Sequence, residues 1–320
     1  MKTILWEYYP LCNLKKEPIT LIREINIQSK AVYCVKLLHD GRIAVSSWDT
    51  KIVILDPENN YNTDITIEYP AGAVTYISEL DDGRLIACSC DDKTMKLFSI
   101  TKNTYKCEHT YVTEYSEYFS KVVPLSENRI LAVADRLLKI FNANPQYNLL
   151  KDLTTYHEQD DAICNVLELK SQFKKGYLVA GAHWEHSIKF WNLNTYQIEA
   201  IFNEVECEAT NSMIETKDNK LIVGGTSRLS IVDLIKMEIE FCSYVDTGNI
   251  WSFAMIDDNT LISGCTYGKL YMLNVKKREF TLLDEKAHCS FIRAIVVLKN
   301  NMFITGADDS NCSLKLWKFN

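Results

Sequence analysis

His183-Trp184-Glu185-His186 sets two imidazoles and a carboxylate within four residues. These are zinc-binding donor types, but a zinc centre needs three or four ligands converging tetrahedrally. No second cluster stands at a useful spacing, and no metal is expected; the segment suits a solvated turn or a partner contact. Carboxylate pairs recur at Asp81-Asp82, Asp91-Asp92, Asp257-Asp258 and Asp308-Asp309. Paired carboxylates are the machinery of glycoside hydrolysis. Each pair here falls in a turn, where Asp is favoured for local hydrogen bonding. The chain has no Walker-type loop, no GxGxxG after a strand and no GxSxG motif. The expectation is a protein without catalysis and without a cofactor.

Eleven cysteines among 320 residues include no CxxC pair. Cys34, Cys88 and Cys265 lie inside apolar runs, as small buried hydrophobes do. An odd number without a framework spacing points to a reduced protein, expected in the cytoplasm or the nucleus. The net charge of −7 disfavours direct binding to nucleic acid or to anionic membranes, which requires a basic field. The basic runs Lys15-Lys16 and Lys276-Lys277-Arg278 fit solvated turns. The N-terminal apolar run stops at Glu7, too short for a signal-peptide core. No stretch reaches the ~20 apolar residues of a membrane span.

The elements that position these groups repeat. The stretch around HDGRIAVSSWDTKIVILD, residues 39–56, shows alternating runs joined by an Asp-Gly turn and a polar turn. The pattern begins near residues 31, 73, 118, 162, 209, 249 and 291. Its hairpin residue recurs at Gly41, Gly83, Asn128, Gly176, Asn219, Asn259 and Asn301, at intervals of 40 to 48 residues. Gly and Asn tolerate the positive φ that a two-residue type I′ turn demands. Each repeat holds three short strands and a more irregular fourth, such as NTDITIEYP. Four strands per ~40–45 residues is the period of a propeller blade. The expected fold is all-β: a seven-bladed β-propeller of four-stranded antiparallel blades. The last repeat ends at its third strand, SLKLWKFN, and an orphan strand, residues 19–27, precedes the first. The N-terminal strand is therefore expected to close the ring by pairing with the C-terminal blade. Residues 1–18 form an N-terminal extension, packed on the ring or on a partner, and 19–320 a single propeller.

SCDDKTMKLFS, SIKFWNL and SLKLWKF resemble the WD-repeat family of β-propellers. In that resemblance the family's Trp-Asp position in the first repeat is Leu55-Asp56, whereas Trp48-Asp49 lies in the preceding turn. The third-strand Trp is kept at Trp191 and Trp317; Phe98 and Phe141 fill the site in two other repeats. The family's His–Ser/Thr–Asp–Trp hydrogen-bond network is matched in the last repeat by His288, Thr305, Asp309 and Trp317, with a longer Asp-to-Trp spacing. The fourth repeat keeps His157 and Trp191 but has Ala180 at the hydroxyl position. The paired-arginine motif of lipid-binding propellers is absent.

Two positions per repeat face one side of such a ring. The third residue of strand one reads Tyr33, Thr75, Ser120, Cys164, Asn211, Trp251 and Arg293. The residue before the turn Asp, or its equivalent, reads Trp48, Asp91, Ala134, Trp184, Ser227, Tyr267 and Asp308. The partner-binding set expected from blades six, seven and one is Tyr33, Trp48, Trp251, Tyr267, Arg293 and Asp308. Trp, Tyr and Arg are enriched at binding hot spots. The resemblance implies an interaction scaffold, a subunit of a hetero-complex that docks a peptide or loop of another protein. The alternatives are a structural subunit held by its rim and an enzyme with a site at the central channel.

Overall fold

Blade one shows how the repeat folds. Its strands are Val32–Leu37, Ile43–Ser47, Lys51–Asp56 and Asn62–Glu68, each hydrogen-bonded to the next in antiparallel register. The second strand is buried at every position, whereas the fourth alternates between exposed and buried residues. Middle strands are thus covered on both faces by neighbouring sheets, and near-continuous apolar sequence follows from that. The computed structural model describes residues 7–9, 19–27, 31–69, 72–112, 118–134, 137–153, 163–170, 176–182, 187–202, 210–245, 247–309 and 313–320.

Among these residues the sheets are the blades of a β-propeller, and no α-helix occurs. Blades two to six span 74–112, 119–152, 163–202, 210–245 and 250–284. The last sheet runs in the order Ile19–Asn26, Ser313–Phe319, Met302–Ala307, Ile292–Val297. The N-terminal strand thus sits at the edge of the C-terminal blade, the pairing expected of it. Thr20 Oγ1 donates to Asn320 Oδ1 at 2.9 Å, and Lys315 Nζ lies 3.3 Å from Glu24 Oε1.

Four-stranded antiparallel sheets number six rather than seven. The remaining sheet, blade five, has five strands, because Glu7–Tyr9 pairs in parallel with its outer strand Glu238–Val245. An outer strand offers unpaired backbone groups, and an added strand satisfies them.

The hairpin turns correct a second expectation. At Gly41, Leu38 accepts from Gly41 N at 2.9 Å and donates to Arg42 O at 2.8 Å. Gly83 repeats this with Leu80 and Arg84, and Asn219 with Thr216 and Lys220. Only the last turn residue has positive φ there (90°, 83° and 62°), which is a type I turn with a bulge rather than type I′. Consecutive positive φ occurs at Glu127-Asn128 and Asn300-Asn301. Asn259 is not left-handed; its amide donates to Asp257 Oδ1 at 2.7 Å.

Residues at the end of third strands set the next turn. The side-chain oxygens of Asp56, Asn142, Asn192 and Asp233 each accept the amide two residues on, at 2.8–2.9 Å. These are Asx turns, and they explain why Asp or Asn recurs at the Trp-Asp position even where Trp does not.

The chain divides into two compact units. In the unit of residues 23–163 and 304–316, Ile52, Ile54 and Ile67 of blade one pack with Val74, Ile77 and Phe98 of blade two. A second layer joins Ile86, Leu97 and Tyr111 of blade two to Phe119, Ile130 and Phe141 of blade three. Each fully buried aliphatic side chain contributes about 1.5–3 kcal/mol. In the unit of residues 1–22, 164–303 and 317–320, blade five packs on blade six through Ile222, Leu229, Ile250 and Leu273. Trp317 stacks on Phe303 with ring centroids 6.2 Å apart.

Arginines tie neighbouring blades. Arg42 Nη1 donates to Asp64 at 2.8 Å and to Thr101 O of blade two at 3.1 Å. Arg84 grips Asp82 with Nε and Nη2 and donates from Nη1 to Ala143 O beside blade three at 2.7 Å. Charge-assisted hydrogen bonds of this kind contribute about 1.5–3 kcal/mol. Arg84→Met is therefore expected to lower unfolding free energy by about 2 kcal/mol, read as a shifted denaturant midpoint at unchanged slope.

Candidate functional site

The third residue of strand one has a specific backbone setting. Register shifts fall between Val32 and Cys34, Val74 and Tyr76, Phe119 and Lys121, Thr210 and Ser212, and Ile250 and Ser252. Tyr33, Thr75, Ser120, Asn211 and Trp251 are thus bulge residues, left out of the ladder. A bulge re-aims its side chain. That is why this position varies so widely in residue type.

In blade six the bulge residue meets the turn between strands two and three. Trp251 Nε1 donates to Thr266 Oγ1 at 3.3 Å. The Trp251 ring stacks on Phe291 with centroids 5.3 Å apart and planes 24° apart. The Arg293 guanidinium lies 4.9 Å from the Trp251 centroid and 5.7 Å from that of Phe291. All three side chains are half-buried. A cation over two rings is attracted by their quadrupoles, by about 0.5–1 kcal/mol or more at each ring.

Tyr267 follows Thr266 on a 3-10 turn, Thr266–Gly268, and is 72% exposed with φ 61°. The turn is fixed by the Thr266 amide on Asn249 O at 3.0 Å and the His288 amide on Gly268 O at 3.2 Å. A Cβ on Gly268 would fall 1.8 Å from His288 O, so the close approach demands glycine. Trp48 N makes the same bond to Ala31 O as Thr266 N makes to Asn249 O. Trp48 therefore corresponds to Thr266. Tyr267 falls where Asp49 stands in blade one, and Gly268 (φ 70°) takes the left-handed place of Thr50 (φ 66°), contrary to the sequence alignment of Tyr267 with Trp48.

Tyr33 and Trp48 form a pair in the other unit, with ring centroids 5.9 Å apart and planes 31° apart. Trp48 is 47% exposed. Its turn is held by a short hydrogen bond from the Ser47 hydroxyl to Asp49. Asp308 is half-buried just after the strand Met302–Ala307. The structure thus joins Tyr33 to Trp48 and Trp251 to Arg293. Sequence reasoning missed Phe291 and Thr266; Phe291 sits immediately before the first strand of the last repeat.

His288, Thr305, Asp309 and Trp317 are all buried. A related network, not foreseen, lies in blade two. Asp92 accepts from Thr94 N at 3.0 Å and from Thr94 Oγ1 at 2.8 Å. The Tyr69 hydroxyl donates to Thr94 O at 3.0 Å, and Asp91 accepts from Ala73 N at 2.9 Å. Ser89 Oγ accepts from Asp91 N at 3.2 Å. The signal was present in SCDDKT, with a buried tyrosine where a histidine was sought.

The turn carboxylates are structural acceptors: Asp82 for Arg84, Asp91 and Asp92 for blade two, Asp257 for Asn259. His183, Trp184, Glu185, His186 and His157 lie outside the described residues. Among the described residues no group of three or more His, Cys, Asp or Glu is placed to hold a metal. Eight described cysteines stand outside any disulfide. Cys34, Cys88 and Cys265 are buried, as expected, and burial pushes the Cys88 and Cys265 thiols up to about 12. Among the described residues no helix is long and apolar enough to cross a membrane.

Residues 65–99 match the family model of the WD domain, G-beta repeat. This is the stretch from the outer strand of blade one through the Tyr69–Asp92–Thr94 network to Phe98. No curated protein matches the chain. The matched repeat and the propeller blades together support kinship with the WD-repeat family.

Proposed function

We propose that this WD-repeat-like chain is a non-catalytic docking platform, a subunit that holds a peptide or loop of another protein. WD40 propellers generally mediate protein–protein interaction, and the matched repeat brings that role to this chain as a reading. The carrying observation is the Trp251–Phe291 stack with Arg293 laid over it, beside the exposed Tyr267. Two flat rings and a guanidinium fixed on strands lose little conformational entropy when a partner covers them. Arg293 adds a planar donor for a carboxylate or phosphate. Tyr33 and Trp48 supply a second aromatic patch. The buried placement of Cys34, Cys88 and Cys265 supports an intracellular setting, cytoplasm or nucleus.

The test is affinity purification of the full chain from its native cell, with wild type beside Trp251→Ala and Arg293→Ala. Hot-spot truncation costs about 2 kcal/mol or more. Co-purifying proteins are expected to drop at least tenfold for each variant, while the melting temperature stays within about 3 °C. Undiminished partners would direct attention to the rim strands instead.

A further inference from the structure

Blades one to three pack their first strands side by side: Val32–Leu37, Val74–Glu79 and Phe119–Leu125. Each contributes one polar side chain to a common cluster. Lys121 Nζ lies 4.9 Å from the Tyr76 ring centroid, and Lys36 Nζ lies 5.4 Å from the same centroid. All three side chains are half-buried, so the cluster is neither sealed nor fully solvated. Cys34 is buried nearby, with its thiol donating to Ile77 O at 3.6 Å. The two lysines feel opposed fields. Tyr76, foremost, strengthens the hold of Lys36 on its proton. Burial, foremost, weakens that of Lys121, and the charge of Lys36 adds to the loss.

We propose that Lys36, Tyr76 and Lys121 form a receptor for a phosphate-type dianion. Two ammonium groups match two negative charges, and each brings three rotatable donors. Lysine binds phosphate as a point charge without the planar fork of arginine. The Tyr76 hydroxyl adds a third donor. Donors from three separate strands gather around one ring. Half-burial strengthens each attraction relative to open water. The strands are held by the sheets, so the receptor is preorganised. In a chain of net charge −7 it is a local positive spot. The cluster shares no residue with Trp251 and Arg293, and the proposal stands apart from the docking role.

The test uses the full chain with inorganic phosphate and pyrophosphate as probes. Lysine acetylation, read by mass spectrometry, is expected to slow at least fivefold at Lys36 and Lys121 in millimolar pyrophosphate, while exposed Lys277 keeps its rate. Calorimetry is expected to show pyrophosphate binding that weakens at least tenfold in Lys36→Met and in Lys121→Met. A short phosphoserine peptide separates the sources. Binding tighter than pyrophosphate assigns the site to a phosphoryl group carried by a protein, and weaker binding to a free small anion. Equal protection at Lys277 overturns the proposal, as does binding that both substitutions leave unchanged. Should the variants fail to fold, footprinting of the unsubstituted chain alone decides.

Discussion

A chain lacking residues 1–27 is expected to aggregate, and its monomeric fraction to melt roughly 7 °C lower. The strand Ile19–Asn26 covers the outer edge of Ser313–Phe319. Its removal bares a row of backbone donors and acceptors, the template on which sheets pair between molecules. It also removes Ile25 and Ile27, which are 4% and 8% exposed, at about 1.5–3 kcal/mol each. The Lys315–Glu24 ion pair and the two bonds from Arg23 Nη1 to Asn60 go with them. A loss of about 5 kcal/mol corresponds to roughly 7 °C in a chain of 320 residues. Light scattering after size exclusion and calorimetry measure both effects. A second chain lacking only residues 1–10 loses the parallel strand Glu7–Tyr9 and keeps the closing strand. It is expected to stay monomeric. Equal behaviour of the two truncations would deny the closing strand its role.

The pairing of the two end strands was legible because sequence period and strand count are tied. A repeat that ends after three strands, and a lone strand before the first repeat, leave one place for each other. The turn positions were legible for a similar reason: only Gly and Asn sit easily at left-handed φ, so Gly41, Gly83, Asn128 and Asn219 mark the hairpins. The turn type was not legible. Asp-Gly serves both a two-residue turn and a type I turn with a bulge, and the register of flanking strands decides between them. The geometry of the proposed docking residues was half legible. Tyr33 and Trp251 were picked by counting along strand one, and that count lands on the bulge. Tyr267 was aligned with the wrong neighbour, because the blade-six turn lacks an Asp to mark its register. The fifth strand of blade five left no signal, since three residues are too few to show a period.

Interblade glycines were missed altogether, although they too repeat. Gly181, Gly224, Gly264 and Gly306 stand at the same place in the second strands of blades four to seven. Each faces the first strand of the following blade: Gly181 meets Thr210, Gly224 meets Ile250 and Phe253, Gly264 meets Ile292, and Gly306 meets Val32 and Val35. In sequence they look like weak points in a strand, because Gly packs no side chain there. In the structure they set how closely blades approach. The same position carries Ser46, Cys88 and Val133 in blades one, two and three, so the glycine is confined to blades four to seven.

Gly306→Val is the sharpest test of that reading. A Cβ there would lie 2.5 Å from Val32 Cγ1 and 3.2 Å from Val35 Cγ2. Neither neighbour can yield freely: Val32 is fully buried and Val35 is 4% exposed. Overpacking of this kind costs about 1–3 kcal/mol, occasionally more, and the value expected here is about 3 kcal/mol. Gly41→Ala provides the contrast. Nothing lies within 4 Å of its Cβ, and its cost of about 1 kcal/mol comes from φ +90° alone. A double-mutant cycle separates contact from strain. Val32→Ala removes the clashing methyl groups, so it should recover part of the loss in Gly306→Ala but none of the loss in Gly41→Ala. A coupling of 1 kcal/mol or more between positions 306 and 32 is expected from denaturant melts. Strict additivity would mean that blade seven does not press on blade one at this glycine.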